Sequence, residues 1–325
     1  MTVTAIREAP PVTTRVDVPF TLLNITSTIA AIVLPFSFTS RSAVIAFLIT
    51  YTIAGLGLTA GYHRLFAHRS YVVPKWLENA IAICGYMAIQ RGPIFWVAMH
   101  RLHHAQVEKP GRDPHTPREG LWHVHFGWVQ NRRSDVWNPK IYRRYAPDLV
   151  GDPLFEWMDL ERHDYLAAFG LLGLSYLVGG VISPGVAGFD THNAMCFLVW
   201  VGLMNRVALL QAFGLINSVC HLLGTRPFNT SGEDDSRNNL FVSLVIFGEG
   251  WHNNHHAFPT SARQGLRWSQ LDIAWYTIWL LERAGLARNV RLPSREAMAR
   301  RARLGQPSGA IATPASPAGT SESRR

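Results

Sequence analysis

The chain of 325 residues carries fourteen histidines, and nine of them stand in short groups. His63 and His68 frame His63-Arg-Leu-Phe-Ala-His68. His100, His103 and His104 form His100-Arg-Leu-His-His104, and His252, His255 and His256 form His252-Asn-Asn-His-His256. His221 closes Asn217-Ser-Val-Cys-His221. On a helix, positions i, i+3 and i+4 share a face, so each triplet presents three imidazoles together and Asn217 lies on the side of His221. His63 and His68 are splayed by about 140° on an α-helix, awkward for chelating one ion and workable for serving two neighbouring ions. Imidazole binds iron, copper, nickel and zinc, and nine imidazoles exceed the roughly four to six ligands of one ion and suit two. The three cysteines, Cys84, Cys196 and Cys220, have no ligand spacing, which argues against a structural zinc site or an iron–sulfur centre. Two redox-active irons are the natural candidate, and ligand type alone does not fix the element. His115 and His125 are read as an outer layer around the ligands, and His123, His163 and His192 as incidental.

For the groups to meet, the elements between them must bring them to one place. The chain is 48% hydrophobic and only 16% charged, which excludes a disordered arm, and its low cysteine count excludes a disulfide scaffold. Uncharged apolar runs cover 20–38 and 43–62, and two more cover 165–183 and 194–215. Each is about 20 residues, enough to cross about 30 Å of hydrocarbon. The short break between the first two makes them a hairpin. The reading divides the chain into a tail (1–19), a transmembrane hairpin (20–62), a polar cap segment with the first two histidine groups (63–163), a second pair of spans (164–215), a second cap segment with the last group (216–292) and a disordered tail (293–325). Within the cap, 76–96 reads as an amphipathic interfacial helix, and a Trp-rich helix is expected near 268–282. No signal peptide is recognisable at the start.

The net charge is +9, and the two short loops at 39–42 and 184–193 hold one arginine and no lysine. The positive-inside rule therefore predicts an inner-membrane, multi-pass protein with both termini and all histidine groups on the cytoplasmic side. The surplus charge becomes a membrane-flanking feature, and no nucleic-acid partner is expected. Arg206, inside the fourth run, is read first as a buried, paired arginine and second as a contact for polar groups.

Taken together, the three histidine boxes closely resemble those of the membrane fatty-acid desaturase family, with the match strongest to its delta-9 acyl-CoA branch. The resemblance runs from about residue 59 to 259. It includes Arg69-Ser-Tyr71, Asp113-Pro-His115, Gly127-Trp128, Asn217-Ser-Val-Cys-His221 and Gly248-Glu-Gly-Trp-His252. It implies an all-α integral membrane protein, four transmembrane helices bearing a cytosolic helical cap that holds a di-iron centre. By the same resemblance, the metal ligands are His63, His68, His100, His103, His104, His221, His252, His255 and His256, with Asn217 joined through water. Gln90, Trp96, Phe213, Gly214 and Trp251 are carried over as acyl-tunnel residues. The pattern departs at Met99, where an acidic residue usually precedes the second box. It also departs at Glu108, in a segment to Asp113 that is one residue longer, and at Phe213-Gly214, where a Thr-Trp pair is usual.

The implied activity is oxygen-dependent insertion of a cis double bond, at delta-9, into a long saturated acyl-CoA. Two iron ions and O2 would serve it. Alternatives are an acyl-carrier-protein or acyl-lipid substrate, a hydroxylase or acetylenase on the same centre, and a membrane metal-binding or transport protein. No flavin or nicotinamide fingerprint and no fused electron carrier is recognisable. A separate donor such as a ferredoxin or a flavin reductase is expected on the basic face.

Overall fold

The computed structural model describes residues 14–133, 136–183, 187–230 and 232–303. Helix α1 (Val18–Phe36) starts at Asp17, whose carboxylate accepts the Phe20 N–H at 3.2 Å. A polar turn follows, and Ser40 caps α2 (Arg41–Ala67) by accepting the Ala43 N–H at 3.2 Å. From Gly57 to Ala67, α2 winds as a π-helix. Its backbone lies close to the next helix there: a Cβ on Gly57 would sit 2.2 Å from the Gly85 nitrogen, so only glycine fits.

Helix α3 (Lys75–Tyr86) exposes Trp76 and Ile83, as an interfacial helix would. The single helix expected over 76–96 is two. The chain turns at Ile89 and Arg91, both at positive φ, and α4 (Pro93–Gln106) begins afresh. The reason is Pro93: it is tolerated in a first turn only and holds Gly92 extended. The free N–H groups of Ile94 and Phe95 donate to Asp159 at 2.7 and 2.8 Å, a cap supplied from a distant segment.

Helices α5 (Glu161–Val181) and α6 (Thr191–Leu222) pack closely through small residues, with Gly179 against Phe197 and Gly202 against Leu172. At their far end, Asn193 accepts from Ser40 and Ser42 and donates to the Gly179 carbonyl at 2.7 Å. One side chain thus joins α2, α5 and α6. Helices α1, α2, α5 and α6 are the four that are long and apolar enough to span a membrane, and much of their apolar surface is exposed. Helices α2 and α6 extend beyond the expected runs, so His63 and His221 lie within the last turns of spans rather than after them.

The cap adds α7 (Leu240–Val245), α8 (His252–Ala257), α9 (Ile273–Arg283) and α10 (Arg295–Arg301). The Trp-rich helix starts at Ile273 and not near 268, because Asp272 accepts the Trp275 N–H at 2.9 Å and caps it there. Disorder from residue 293 onward is overturned for the part that is described: α10 forms and buries Met298 against Phe228, Phe258 and Leu266. Residues 1–13 and 304–325 lie outside the described residues. A two-stranded antiparallel pair, Thr14–Val16 with Asn131–Arg133, is the one sheet among the described residues of an otherwise helical fold.

Candidate metal centre

Four elements bring the nine grouped histidines together: the π-helical end of α2, the C-terminal half of α4, the end of α6 and the short α8. They separate into two groups whose ligand nitrogens lie within 4.8 Å of one another. The first holds His63, His68, His100 and His255, and the second holds His103, His221, His252 and His256. His104 approaches both through His255 and His256. Each triplet therefore divides between two sites instead of chelating as one face. His100 and His104 turn toward the first group and His103 toward the second.

The expectation that His63 and His68 are too splayed to chelate one ion easily is corrected, since both fall in the first group. In a π-helix the backbone bond runs from i to i+5, and the His68 N–H donates to the His63 carbonyl at 3.1 Å. Residues five apart then stack, and the two rings lie 4.9 Å apart.

The nitrogens converge as coordination requires. Nε2 atoms of His63 and His255 are 3.1 Å apart, those of His68 and His100 2.7 Å, those of His104 and His255 2.8 Å, and those of His221 and His252 3.0 Å. Imidazole–metal bonds of about 2.1 Å at right angles put neighbouring nitrogens about 3.0 Å apart. The Nε2 atoms of His103 and His256 are buried without a hydrogen-bond partner. Their Nδ1 atoms are engaged instead, His103 with Asp113 at 3.0 Å and His256 with Asp234 at 2.9 Å. His221 Nδ1 meets Glu108 at 2.9 Å, and His63 Nδ1 meets Glu249. A carboxylate on Nδ1 fixes the tautomer that leaves the Nε2 lone pair free for a metal.

Sequence reasoning did not include these four carboxylates among the site residues. Glu108, Asp113 and Glu249 adjoin the boxes and were open to notice there. Asp234 had no sequence signal, being brought to His256 by the fold. Buried Arg64 bridges Glu249 and Asp272. Half-exposed Arg118 touches the outer side of Glu108.

Burial, reinforced by neighbouring imidazoles, pushes His68, His100, His104, His252, His255 and His256 well below the ordinary histidine value. Burial opposes protonation of His103 too, but Asp113 overrides it and raises His103. Neutral imidazole is the ligating form, so the six lowered groups are ready to bind without first losing a proton.

A cavity reaches the groups from the side of the spans. Its walls include Gln90, Trp96, Phe213, Gly214 and Asn217, and it touches His63, His100, His103 and His252. Four of the five expected tunnel residues thus line it. Trp251 does not. Its indole is buried and donates to the Leu271 carbonyl at 2.7 Å, so it serves packing. Trp96 stacks on His100 at 5.3 Å, and both rings face the chamber. Gly214 leaves room for His125, whose nitrogens meet Gln211 and Ser218, both at 2.9 Å. His115 packs on His103 with ring centres 4.3 Å apart. His123, His163 and His192 and the three cysteines belong to neither group. Arg206 is buried within the bundle and donates to Asn24 of α1.

A sequence profile of the fatty acid desaturase family matches residues 40–291. The chain is 43% identical to the delta-9 acyl-lipid desaturase 1 of Arabidopsis thaliana, over 80% of this chain and 78% of that one. It is 41% identical to the sn-2 palmitoyl-lipid 9-desaturase of Nostoc sp. (strain 36), over 72% of this chain and 76% of that one. It is 38% identical to the icosanoyl-CoA 5-desaturase of Limnanthes douglasii, over 80% and 68%.

Proposed function

Because the chain belongs to the fatty acid desaturase family, we propose that it is a delta-9 desaturase of long saturated acyl chains that works with two irons. One iron is held by His63, His68, His100, His104 and His255. The other is held by His103, His221, His252 and His256, with Asn217 joined through water. The observation that carries this is the convergence of free Nε2 atoms into two adjacent groups beside an apolar cavity. When bound, iron supplies O2 activation: O2 takes two hydrogens from the acyl chain and two electrons and two protons from outside, leaving as two waters.

The protein's own side chains do the rest. Glu108, Asp113, Asp234 and Glu249 hold the Nδ1 protons and aim the rings. Ile89, Met99, Phe213 and Ile216 line an apolar chamber that excludes water from the reacting methylenes. Partly buried Gln90 has a buried amide nitrogen with no partner, a donor available for a carbonyl on the substrate.

The acyl carrier expected from the sequence is coenzyme A, and the relative named for icosanoyl-CoA supports it. A second reading, an acyl chain esterified to a membrane lipid, is favoured by charge. Arg91 lines the cavity but is paired with Asp164 at 2.9 Å, and nearby Arg132 is paired with Asp17 and Glu161. Neither is free for the phosphates of coenzyme A. Relatives named for lipid-linked chains support the same reading. A separate electron donor and an inner-membrane site with the cap on the cytoplasmic side complete the proposal.

Expression in a desaturase-deficient host, with gas chromatography of its fatty acids, tests the activity. A new monoene is expected, and its absence with two irons bound and a reductant supplied overturns the reading. Purified enzyme given acyl-CoA, acyl-carrier-protein and glycerolipid substrates separates the carriers.

A further inference from the structure

The start of α1 is tied to the acyl cavity by a short strap that lies before residue 40, where the match to the family profile begins. Thr14–Val16 pairs antiparallel with Asn131–Arg133, so Arg15 stands opposite Arg132. The next residue, Asp17, donates its N–H to the Gln130 carbonyl at 2.9 Å. Phe20, three residues on, lines the cavity beside Arg91, whose guanidinium lies 4.7 Å from the centre of its ring.

Asp17 stands between two arginines. Its carboxylate accepts from Arg132 Nε at 2.8 Å and from Arg132 Nη2, and Arg91 Nη2 lies 3.7 Å away. The first turn of α5 holds the same two guanidiniums from another side, Arg91 through Asp164 at 2.9 Å and Arg132 through Glu161 at 2.7 Å. Both also lie over the ring of Trp137, at 4.8 and 5.1 Å. The cluster leads outward from the cavity wall. The side chains of Arg91 and Asp17 are 6% and 5% exposed, and those of Arg132 and Glu161 are 31% and 52% exposed. A head group leaving the cavity along this cluster meets two cations that carboxylates already hold. Arg91 keeps Nε and Nη2 without a hydrogen-bond partner. It can donate to a neutral ester oxygen and stay paired with Asp164, whereas a phosphate must compete with three carboxylates for both cations.

We propose that Asp17 selects the acyl carrier: by occupying Arg132 and Arg91 it turns away the phosphates of coenzyme A and leaves the cavity to chains ester-linked to a glycerolipid. The proposal deepens the lipid-linked reading above and rests on it. Asp17 acts through the two arginines, so it is a positioning residue. Discrimination of this kind comes from denying a competitor its partners as much as from contacts to the favoured substrate. The strap makes the denial firm, because the strand pair and the cap on α1 fix the Asp17 backbone on both sides.

The test measures equilibrium binding to the full chain in nanodiscs without reductant, so that no turnover occurs. The probes are radiolabelled stearoyl-CoA and stearoyl-pantetheine, a thioester of the same acyl chain without phosphates, with binding to empty nanodiscs subtracted. Asp17→Asn removes the charge and keeps a residue that caps a helix about as well. It should tighten stearoyl-CoA about fivefold, the scale of one partly exposed ion pair, and leave stearoyl-pantetheine near wild type. Asp17→Glu should bind both probes as the wild type does, and adding Arg132→Gln to Asp17→Asn should cancel the gain. If Asp17→Asn yields no folded protein, Glu161→Gln releases the same Arg132 from its exposed side, with the same expected sign. Unchanged or weaker stearoyl-CoA binding overturns the proposal. So does equal tightening of both probes, which would make the effect one of cavity shape. Wild-type turnover on stearoyl-CoA that exceeds turnover on a stearoyl glycerolipid, with reductant supplied, would overturn the lipid-linked reading and this proposal together. A flat binding response with the glycerolipid still preferred would overturn the role of Asp17 alone.

Discussion

The backbone N–H of His68 donates to the carbonyl of His63, five residues back, at 3.1 Å. That π-turn sets two imidazoles on one wall of the first group, where an α-turn would have rotated them apart by about 140°. The two groups share no histidine, so they should lose metal separately. His68→Ala is expected to lower iron from two to about one per chain by elemental analysis, with the buried second group still filled. Retention of two irons would remove His68 from the ligand set.

The carboxylates behind the imidazoles should matter almost as much as the ligands. Asp113 contacts His103 Nδ1 and also accepts the Glu108 N–H at 2.8 Å, so it orients a ring and the start of the following loop. Asp113→Asn keeps the shape and removes the charge. Loss of such a partner costs about 10–100-fold in metal affinity. Competition with a chelator should show the second site weakening by that amount while the first stays put. Equal retention at both sites would show that Asp113 serves only the loop.

Acid should destabilise the metal-free protein before any carboxylate titrates in the unfolded chain. Six imidazoles are held well below the ordinary histidine value by burial and by each other, and burial pushes His115 down to about 3. As pH falls below about 6.5 the unfolded chain takes up protons that these folded groups refuse, so stability falls. Outside the spans, two groups act in the opposite sense. His103 is raised, and burial pushes Asp159 up to about 7. Seven against two leaves the sign clear. Thermal unfolding of the apo-protein in detergent should show a falling midpoint from pH 7.5 to 5.5; a rise would contradict the assignment.

Much of this was legible in the residues, for reasons that particular positions make plain. The spans at 20–38, 43–62, 165–183 and 194–215 were visible because lipid demands long uncharged runs; capping residues such as Asp17 and Ser40 set helix starts, and α2 and α6 run on into the cap where their histidines lie. The triplets were visible because i, i+3, i+4 is a local pattern. Their division between two groups was not, since it depends on how α4 and α8 cross. The pairing of His63 with His68 was hidden by a helix type that hydrophobic periodicity does not report. Glu108 meets His221 across 113 residues of sequence, a contact that only tertiary packing creates. Helix α10 was missed because its sequence is almost wholly polar or alanine, with Met298 as its one buried anchor.

Asp159 is a cap supplied in trans to the helix that carries the second box. Its carboxylate accepts from Ile94 and Phe95, and a Cβ on Gly92 would lie 2.6 Å from it. Asp159→Ala leaves two N–H groups without a partner and should cost about 1–2 kcal/mol, as lost helix caps do. At about 2–4 °C per kcal/mol for a large domain, the melting midpoint should drop by several degrees. A loosened α4 should also bind iron less tightly at both sites, since it feeds each of them. A normal midpoint with normal iron would make the contact dispensable.

Two glycines should respond differently, because a Cβ at Gly57 would meet backbone as close as 2.2 Å, whereas at Gly214 the nearest atom is 2.7 Å away and the next two belong to a side chain. At Gly57 a Cβ would meet the backbone of Cys84 and Gly85 at 2.2–2.7 Å, and neither helix has room to withdraw. Gly57→Ala should therefore fail at folding, seen as loss of monodisperse protein on size exclusion. At Gly214 the Cβ would lie 2.7 Å from the His125 carbonyl and 2.9 Å from its ring. The ring can turn, at the expense of its hydrogen bonds to Gln211 and Ser218, and the His125 carbonyl must also shift by a few tenths of an ångström within the short turn His123–Gly127. Gly214→Ala should then fold and keep two irons while the displaced His125 enters the acyl cavity. The expected result is a severalfold loss of turnover on the longest substrates, or a shifted double bond, read by gas chromatography of the products. An unchanged product profile would show that the wall formed by Gly214 and His125 does not meet the acyl chain.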